Sequence, residues 1–449
     1  MIHWYKLNEQ TLKKAKDENK AIYIFIGYAN SYLSNKMEKE VLNNNEVIKL
    51  LNENFISIKI DKNIQKDVDK YYQEVHTLLN KKVGSWPLNI FLTPQNKPFF
   101  AKTYIDLESD SKNIEGMGFL ELLELISKKV KNNDTSLTKN ADEIESFIGK
   151  ITHPTQATVL KESFIQNFLL QARNNYDVKN KGFSKNPKFL HVNLLDTLLY
   201  ISKNFDDSSA KAMLKDTLQQ MQNSEIFDKQ NGGFYRYSNS EDFSKPCNEK
   251  SVFDNTVLAT LFLESGEFFN NESFKQTSKK IINYLSPTNL FVENNTIVST
   301  FFKLDQQEKA KKLLEELNKE FNKEKRFFDD YSFFTQTLLN AYEKTYDSTY
   351  LIKAHKLIND TLTKFYKYGL FMFSNTEFAT KADVKDNIHT SAVSVMVSNL
   401  LKISKILNDE KYKHFAFKTM EYNSYEIGRE TIYYPSMLKQ ILIYLKENR

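Results

Sequence analysis

Ser31-Tyr32-Leu33-Ser34 sets two hydroxyls three residues apart, between a short apolar run, Ala21 to Ile26, and a helical pattern. That is where a helix N-terminus stabilises negative charge. Two thiols at this spacing would exchange disulfides; a serine hydroxyl has no accessible anion near neutral pH and forms no disulfide. A nucleophilic Ser31 would need an adjacent base, and none lies nearby in sequence. The alternative role is a helix cap. Cys247 is the single cysteine, which excludes an internal disulfide and any Cys-clustered zinc or iron–sulfur site. The seven histidines, from His3 to His414, are scattered without an HxxxH or HExxH pair, so no metal and no cofactor is expected.

The elements that must hold these residues are legible from periodicity. Ala21 to Ile26 reads as a buried strand ending at Gly27. Ser34 to Asn43 reads as a helix with Met37, Val41 and Leu42 on one face. Helices are expected at Asn8–Asn19, Asn45–Asn54, Lys66–Asn80 and about Gly118–Lys131, and a strictly alternating strand at Phe55–Asp61. Leu88–Leu92 and Pro98–Tyr104 bracket a turn at Thr93–Lys97 and form an antiparallel hairpin. Pro87 enters the first of these strands, where a cis Trp86–Pro87 bond is expected.

A chain of 449 residues with 41% hydrophobic and 13% aromatic residues suggests two packed domains. The net charge of +5 is small, and no dense basic block with interleaved aromatics suits a nucleic-acid groove. Apolar runs fall far short of the ~18 residues a membrane span needs, and no leader is apparent, so a soluble, cytoplasmic protein is expected. The stretch from Lys131 to His153 turns polar and meets Pro154, giving a domain division of 1–132, a linker at 133–155, and 156–449.

Beyond the linker the pattern is almost wholly helical, about eleven or twelve amphipathic stretches. Asp177-Val-Lys-Asn-Lys-Gly182-Phe183 recurs as Asp228-Lys-Gln-Asn-Gly-Gly233-Phe234, with an echo at Tyr368-Gly369-Leu370-Phe371. The aspartate is expected to bond the turn backbone, the glycine to permit the turn, and the phenylalanine to plug it. Helical pairs at a ~50-residue period imply an (α/α)6-type toroid.

Two blocks, IGYANSYLSNKME and GSWPLNIFLTPQNKPFFAKTYI, resemble in order and spacing the spermatogenesis-associated thioredoxin-domain family (YyaL-like proteins). The resemblance implies a thioredoxin-like α/β domain followed by an all-α, six-hairpin glycosidase-like toroid. In that family a Cys-x-x-Cys pair faces the loop of Pro87; here both cysteines fall on Ser31 and Ser34, and the flanking histidines on Tyr32 and Asn35. Later blocks around Lys188, Arg236 to Tyr237, Cys247 to Asp254 and Asp330 are similar too, with Tyr235 and Cys247 where histidines would stand. Usual members are considerably longer.

From this resemblance the carboxylates Glu249, Asp254 and Asp330 are candidate acid and base groups for a glycosidic bond, if one cavity collects them at the required separation. Lys188, Arg236, Tyr237 and Cys247 are candidate binding residues; Ser31, Ser34 and Pro87 mark a degenerate redox site. The competing reading is that these carboxylates cap helices and pair with lysines. For Cys247 it is an isolated, weakly reactive thiol, and for Tyr235, Tyr237, Phe243 and Phe253 it is core packing rather than a sugar platform. Two functions stay open: a redox-inactive binding or scaffold protein for a sugar-like molecule or a protein partner, and a carbohydrate-processing enzyme resembling glycosidases or N-acylsugar epimerases.

Overall fold

The computed structural model describes all residues except 30, 109–115, 135, 138, 140, 145–156, 286–326, 388 and 449. It divides into two units, Met1–His153 with Thr376–Thr380, and Pro154–Asn375 with Lys381–Arg449. His153, Pro154 and Thr155, the end of the expected linker, lie outside the described residues. Ala141 and Ile144, within that stretch, are buried against the clusters of the first unit.

In the first unit, strand β2 (Ala21–Gly27) is buried along its whole length. It pairs in parallel with β3 (Phe55–Asp61) and antiparallel with β4 (Leu88–Leu92). Strands β1 (Trp4–Tyr5) and β5 (Pro98–Lys102) complete the order β1-β3-β2-β4-β5. The two-residue period of a strand sends Ile22, Ile24 and Ile26 to one face with Ile56, Ile58 and Ile60. Tyr23 and Phe25 go to the other with Phe55 and Phe91.

Helices α1 (Glu9–Asp17) and α4 (Lys66–Asn80) contribute Ala15, Val68, Tyr72 and Val75 to the isoleucine face. Helices α2 (Tyr32–Glu40), α3 (Asn45–Asn54) and α5 (Phe119–Lys131) cover the aromatic face. The result is the expected thioredoxin-like three-layer unit. The α2 pattern starts two residues before the expected Ser34 because Ser31 already caps it.

The second unit is a ring of helical hairpins. Helices α7 (Val192–Asn204) and α8 (Ser208–Asn223) pack together, as do α9 (Val252–Phe268) with α10 (Glu272–Leu285), α11 (Phe328–Thr345) with α12 (Ser348–Phe365), and α13 (Ala392–Leu407) with α14 (Glu410–Arg429). The first member of each pair also packs on its neighbours: α7 on α9, α11 on α13, α13 on α15 (Pro435–Glu447), and α15 back on α7. Helix α6 (Phe164–Asn175) lies against α14 and α15.

These inner helices are apolar around most of their circumference, as helices covered on all sides must be. Helix α13 buries Val393, Val395, Met396, Val397, Leu400 and Leu401 together. The outer helices bury one stripe, and α8 keeps only Ala210, Met213, Leu214, Thr217, Leu218 and Met221 inside. The described helices therefore form the expected α/α toroid.

The repeated loops stitch its rim. Asp177 Oδ1 accepts the backbone N–H groups of Lys179 and Asn180, and Asp228 Oδ1 accepts those of Gln230 and Asn231. Phe183 and Phe234 are buried beneath the turns. At Gly233, with φ of 78°, a Cβ would stand 2.6 Å from the Tyr284 ring, so both conformation and space demand glycine. Strands β6 (Lys188–Phe189) and β7 (Tyr237–Ser238) then join the first loop to the second as an antiparallel ribbon.

Candidate functional site

At the end of β2, Ser31 caps α2: its hydroxyl accepts the Ser34 N–H at 3.2 Å. Ser34 Oγ is buried without a hydrogen-bond partner among the described residues. No histidine, lysine or carboxylate hydrogen-bonds to either hydroxyl among them. The Trp86–Pro87 bond is cis, as expected. Trp86 Nε1 donates to Asp69 Oδ1 at 2.8 Å, and the Lys62 ammonium lies 3.7 Å from the Trp86 ring centre and 4.4 Å from that of Tyr28.

The geometry yields a direct prediction. Changing Ser31 and Ser34 both to Cys is expected to create a reducible disulfide, since a helix-capping x-x turn brings the two Cβ atoms within bonding range. Thiol titration of the denatured, oxidised variant should then find two thiols fewer than after reduction. Free thiols persisting under mild oxidant would show that the turn no longer has redox geometry.

In the second unit, a cavity of about 320 Å³ opens where inner helices begin. Its walls include His191, Val192 and Asn193 at the start of α7, Asp254 in the first turn of α9, and Pro435 at the start of α15. Asp386 and Asn387, in the loop before α13, Arg236, just before β7, and Asn175 and Tyr433 add to the polar lining. Phe183, Phe189, Leu190 and Ile432 make the apolar part.

Asp254 is 7% exposed, and burial pushes its carboxyl up to about 6, against the Ser251 hydroxyl and the positive charge of Arg236. Asp386 is also raised to about 6 by burial, with the N–H groups of Ser391 and Ser436 opposing. Those two N–H groups donate to its two oxygens at 2.7 Å each, so Asp386 ties together the N-termini of α13 and α15. His191 stays exposed at the cavity edge, where the packing around its ring and the nearby Lys188 charge both disfavour its protonation.

The expected trio of carboxylates is not assembled. Glu249 is 69% exposed on its side chain and pairs with Arg236 Nη1 at 3.2 Å. Asp330 Oδ2 accepts the Phe327 N–H at 2.9 Å and caps α11. Only Asp254 enters the cavity.

Among the binding candidates, Arg236 lines the cavity, while Lys188 is 0% exposed and bonds Asp177 Oδ2 at 2.9 Å. Tyr237 sits on the ribbon with its ring 5.4 Å from that of Phe189. Cys247 is buried, its thiol donating to the Glu249 carbonyl at 3.5 Å. Phe243 and Phe253 are core residues.

His191, Asn193 and Asp386 were not singled out from sequence. His191 lies two residues past the Lys188-Phe189 block, the one signal pointing to it; Asp386 carries none.

A second cavity of about 350 Å³ lies among the inner helices and shares Asn193, whose Oδ1 accepts the Thr390 hydroxyl at 2.6 Å. Among the described residues no cluster of three or more metal-binding side chains occurs, and no helix is long and apolar enough to cross a membrane.

Residues 1–149 match the profile of a family described as Thioredox_DsbH, a protein of unknown function (DUF255). Spermatogenesis-associated protein 20 of Rattus norvegicus and that of Homo sapiens are each 30% identical over 297 residues, covering 64% of this chain and 37% of theirs. The match thus spans little more than a third of those relatives. Among solved structures, a cellobiose 2-epimerase from Bacillus thermoamylovorans covers 67% of this chain and 99% of its own at 11% identity and a TM-score of 0.49. A D-mannose isomerase covers 65% and 100% at 11% identity and 0.49.

Proposed function

From a chain whose sequence fits the spermatogenesis-associated thioredoxin-domain family, we propose a binding protein whose thioredoxin-like unit does no dithiol chemistry and whose toroid cavity holds a small polyhydroxylated, carbohydrate-like molecule. The carrying observation is the cavity of Asp254. A buried carboxylate, the Arg236 guanidinium, the His191 imidazole and Asn193 face one space beside Phe183 and Phe189. Alternating acceptors and donors beside an apolar wall suit a ring that bears hydroxyls on its edge and C–H groups on its face. Hydrolysis by a carboxylate pair is less well supported, because Asp386 has both oxygens engaged by backbone N–H groups.

A carbohydrate-processing reaction is favoured by one observation. A carboxyl near 6 exchanges protons readily at neutral pH, so Asp254 could serve as a single acid–base group. For the first unit, Ser31 and Ser34 carry no exchangeable thiol, and the protein should reduce insulin no faster than the buffer with reductant alone.

The test is a melting-temperature screen of the purified protein against neutral monosaccharides, oligosaccharides, amino sugars and phosphosugars at millimolar concentration. Stabilisation of a few degrees by a neutral sugar, lost in Asp254→Asn, is the expected result. A panel without any stabilising sugar would overturn the reading of the cavity.

A further inference from the structure

The cavity does not end at its polar walls. Phe189 lines it and is also 41% exposed, so one ring belongs both to the interior and to the outer surface. It is not a loosely held side chain. Its residue pairs with Tyr237 across the β6–β7 ribbon, and its backbone N–H donates to Ser184 Oγ at 2.8 Å. The half-buried Tyr237 ring, which does not line the cavity itself, stands 5.4 Å from the Phe189 ring at 45°. On the same ribbon, Arg236 reaches the cavity and bonds Glu249 through Nη1 alone, leaving other guanidinium N–H groups of the fork for a ligand.

We infer that Phe189 and Tyr237 form a second subsite at the cavity mouth, taking a second pyranose ring, so that the preferred ligand is a disaccharide or longer glycan rather than a free monosaccharide. This deepens the reading of the cavity as a carbohydrate site and rests on it. A pyranose presents C–H groups on its face and hydroxyls around its edge. The exposed Phe189 ring with the half-buried Tyr237 ring beside it receives the face, while Arg236 and the solvated Glu249 carboxylate receive the edge. A rigid aromatic platform loses little conformational entropy when it binds, which is why two modest contacts alter affinity measurably.

The experiment compares methyl β-glucoside with cellobiose, methyl mannoside with mannobiose, and methyl N-acetylglucosaminide with chitobiose, by isothermal titration of the full chain. For the matching sugar the disaccharide is expected to bind about tenfold more tightly than its methyl monosaccharide, the size of shift that ~1.4 kcal/mol produces. Tyr237→Ala should abolish that ratio while leaving the monosaccharide affinity and the melting temperature in place, and Tyr237→Phe should retain it. Phe189→Ala, which removes a wall of the cavity as well, should weaken both sugars, the disaccharide more.

Equal binding of monosaccharide and disaccharide by the parent chain, or a Tyr237→Ala variant that weakens both alike, would overturn the second subsite and leave the cavity reading standing. No binding of any pair would overturn both.

Discussion

Asp254→Asn is expected to raise the melting temperature of the unliganded protein at pH 7.5 while abolishing its response to sugar. The folded carboxyl lies at about 6, above the ordinary aspartate value near 3.8, because burial disfavours its charge. At pH 7.5 it is ionised in both folded and unfolded chains, and the folded state bears the full penalty. As the pH falls through 6 the folded group takes up its proton first and the penalty shrinks. Below about 4 both states are protonated and the penalty is gone.

Two units of displacement correspond to about 3 kcal/mol at most. Solvent screening at a group that opens onto a cavity brings the realised gain to on the order of 1–2 kcal/mol, a few degrees in a unit of this size. The gain should fade between pH 6 and pH 4. Thermal melts of both proteins across that range give the answer. An Asn variant that melts several degrees lower at pH 7.5 would mean that Asp254 holds the fold. Residues kept at a cost to stability are those that serve a ligand.

The second large effect concerns the rim. Lys188→Met should lower stability by about 3 kcal/mol, because it leaves the Asp177 carboxylate, only 11% exposed, without its cation. Burial works against that carboxylate's charge. The Asn180 backbone N–H, and then the Lys188 and Asn180 side chains, outweigh it and bring Asp177 to about 2. A depressed carboxyl stabilises the fold above its unfolded value near 3.8, and that contribution is lost as pH falls towards 2.

The double variant Lys188→Met/Asp177→Asn should recover much of the loss, since Asn keeps a carbonyl oxygen for the turn N–H groups and carries no charge. Denaturant unfolding of the single and double variants measures this coupling. Equal losses in both would show that the lysine acts through its packing against Phe243, 5.2 Å from its ammonium, and not through the ion pair.

The elements legible in the sequence were those whose period decides their burial. Phe55–Asp61 and Lys66–Asn80 have the bounds their periodicity implies, because Ile56, Ile58 and Ile60 of the strand and Val68, Tyr72 and Val75 of the helix are buried in one cluster. The duplicated loop was also readable, since aspartate, glycine and phenylalanine at fixed offsets specify their own turn.

The site was not readable in the same way. Glu249, Asp254 and Asp330 looked equivalent in sequence, and only tertiary position separates an exposed ion-pair partner, a cavity group and a helix cap. Asp386 shares a wall with Asp254 across more than a hundred intervening residues. Spacing within a single chain cannot announce such a meeting. Thioredoxin-like order, by contrast, follows from neighbouring segments and survives the exchange of both thiols for hydroxyls.

The closure of the ring by α15 against α7 has a consequence in the order of biosynthesis. The Thr197 hydroxyl donates to the Pro435 carbonyl at 2.9 Å, and Lys439 reaches Asp196 at 2.7 Å, contacts spanning 238 and 243 positions of the chain. The near rim, from Asp177 to Lys250, can form as soon as it leaves the ribosome, but the far rim must wait until residues more than two hundred positions later have been made. Until then the apolar flank of α7 that α15 will cover stays open to water and to other nascent chains. Contacts so remote in sequence form slowly. The cavity, lined by Pro435 as well as by His191 and Asp254, is thus complete only after α15 has joined helices made far earlier.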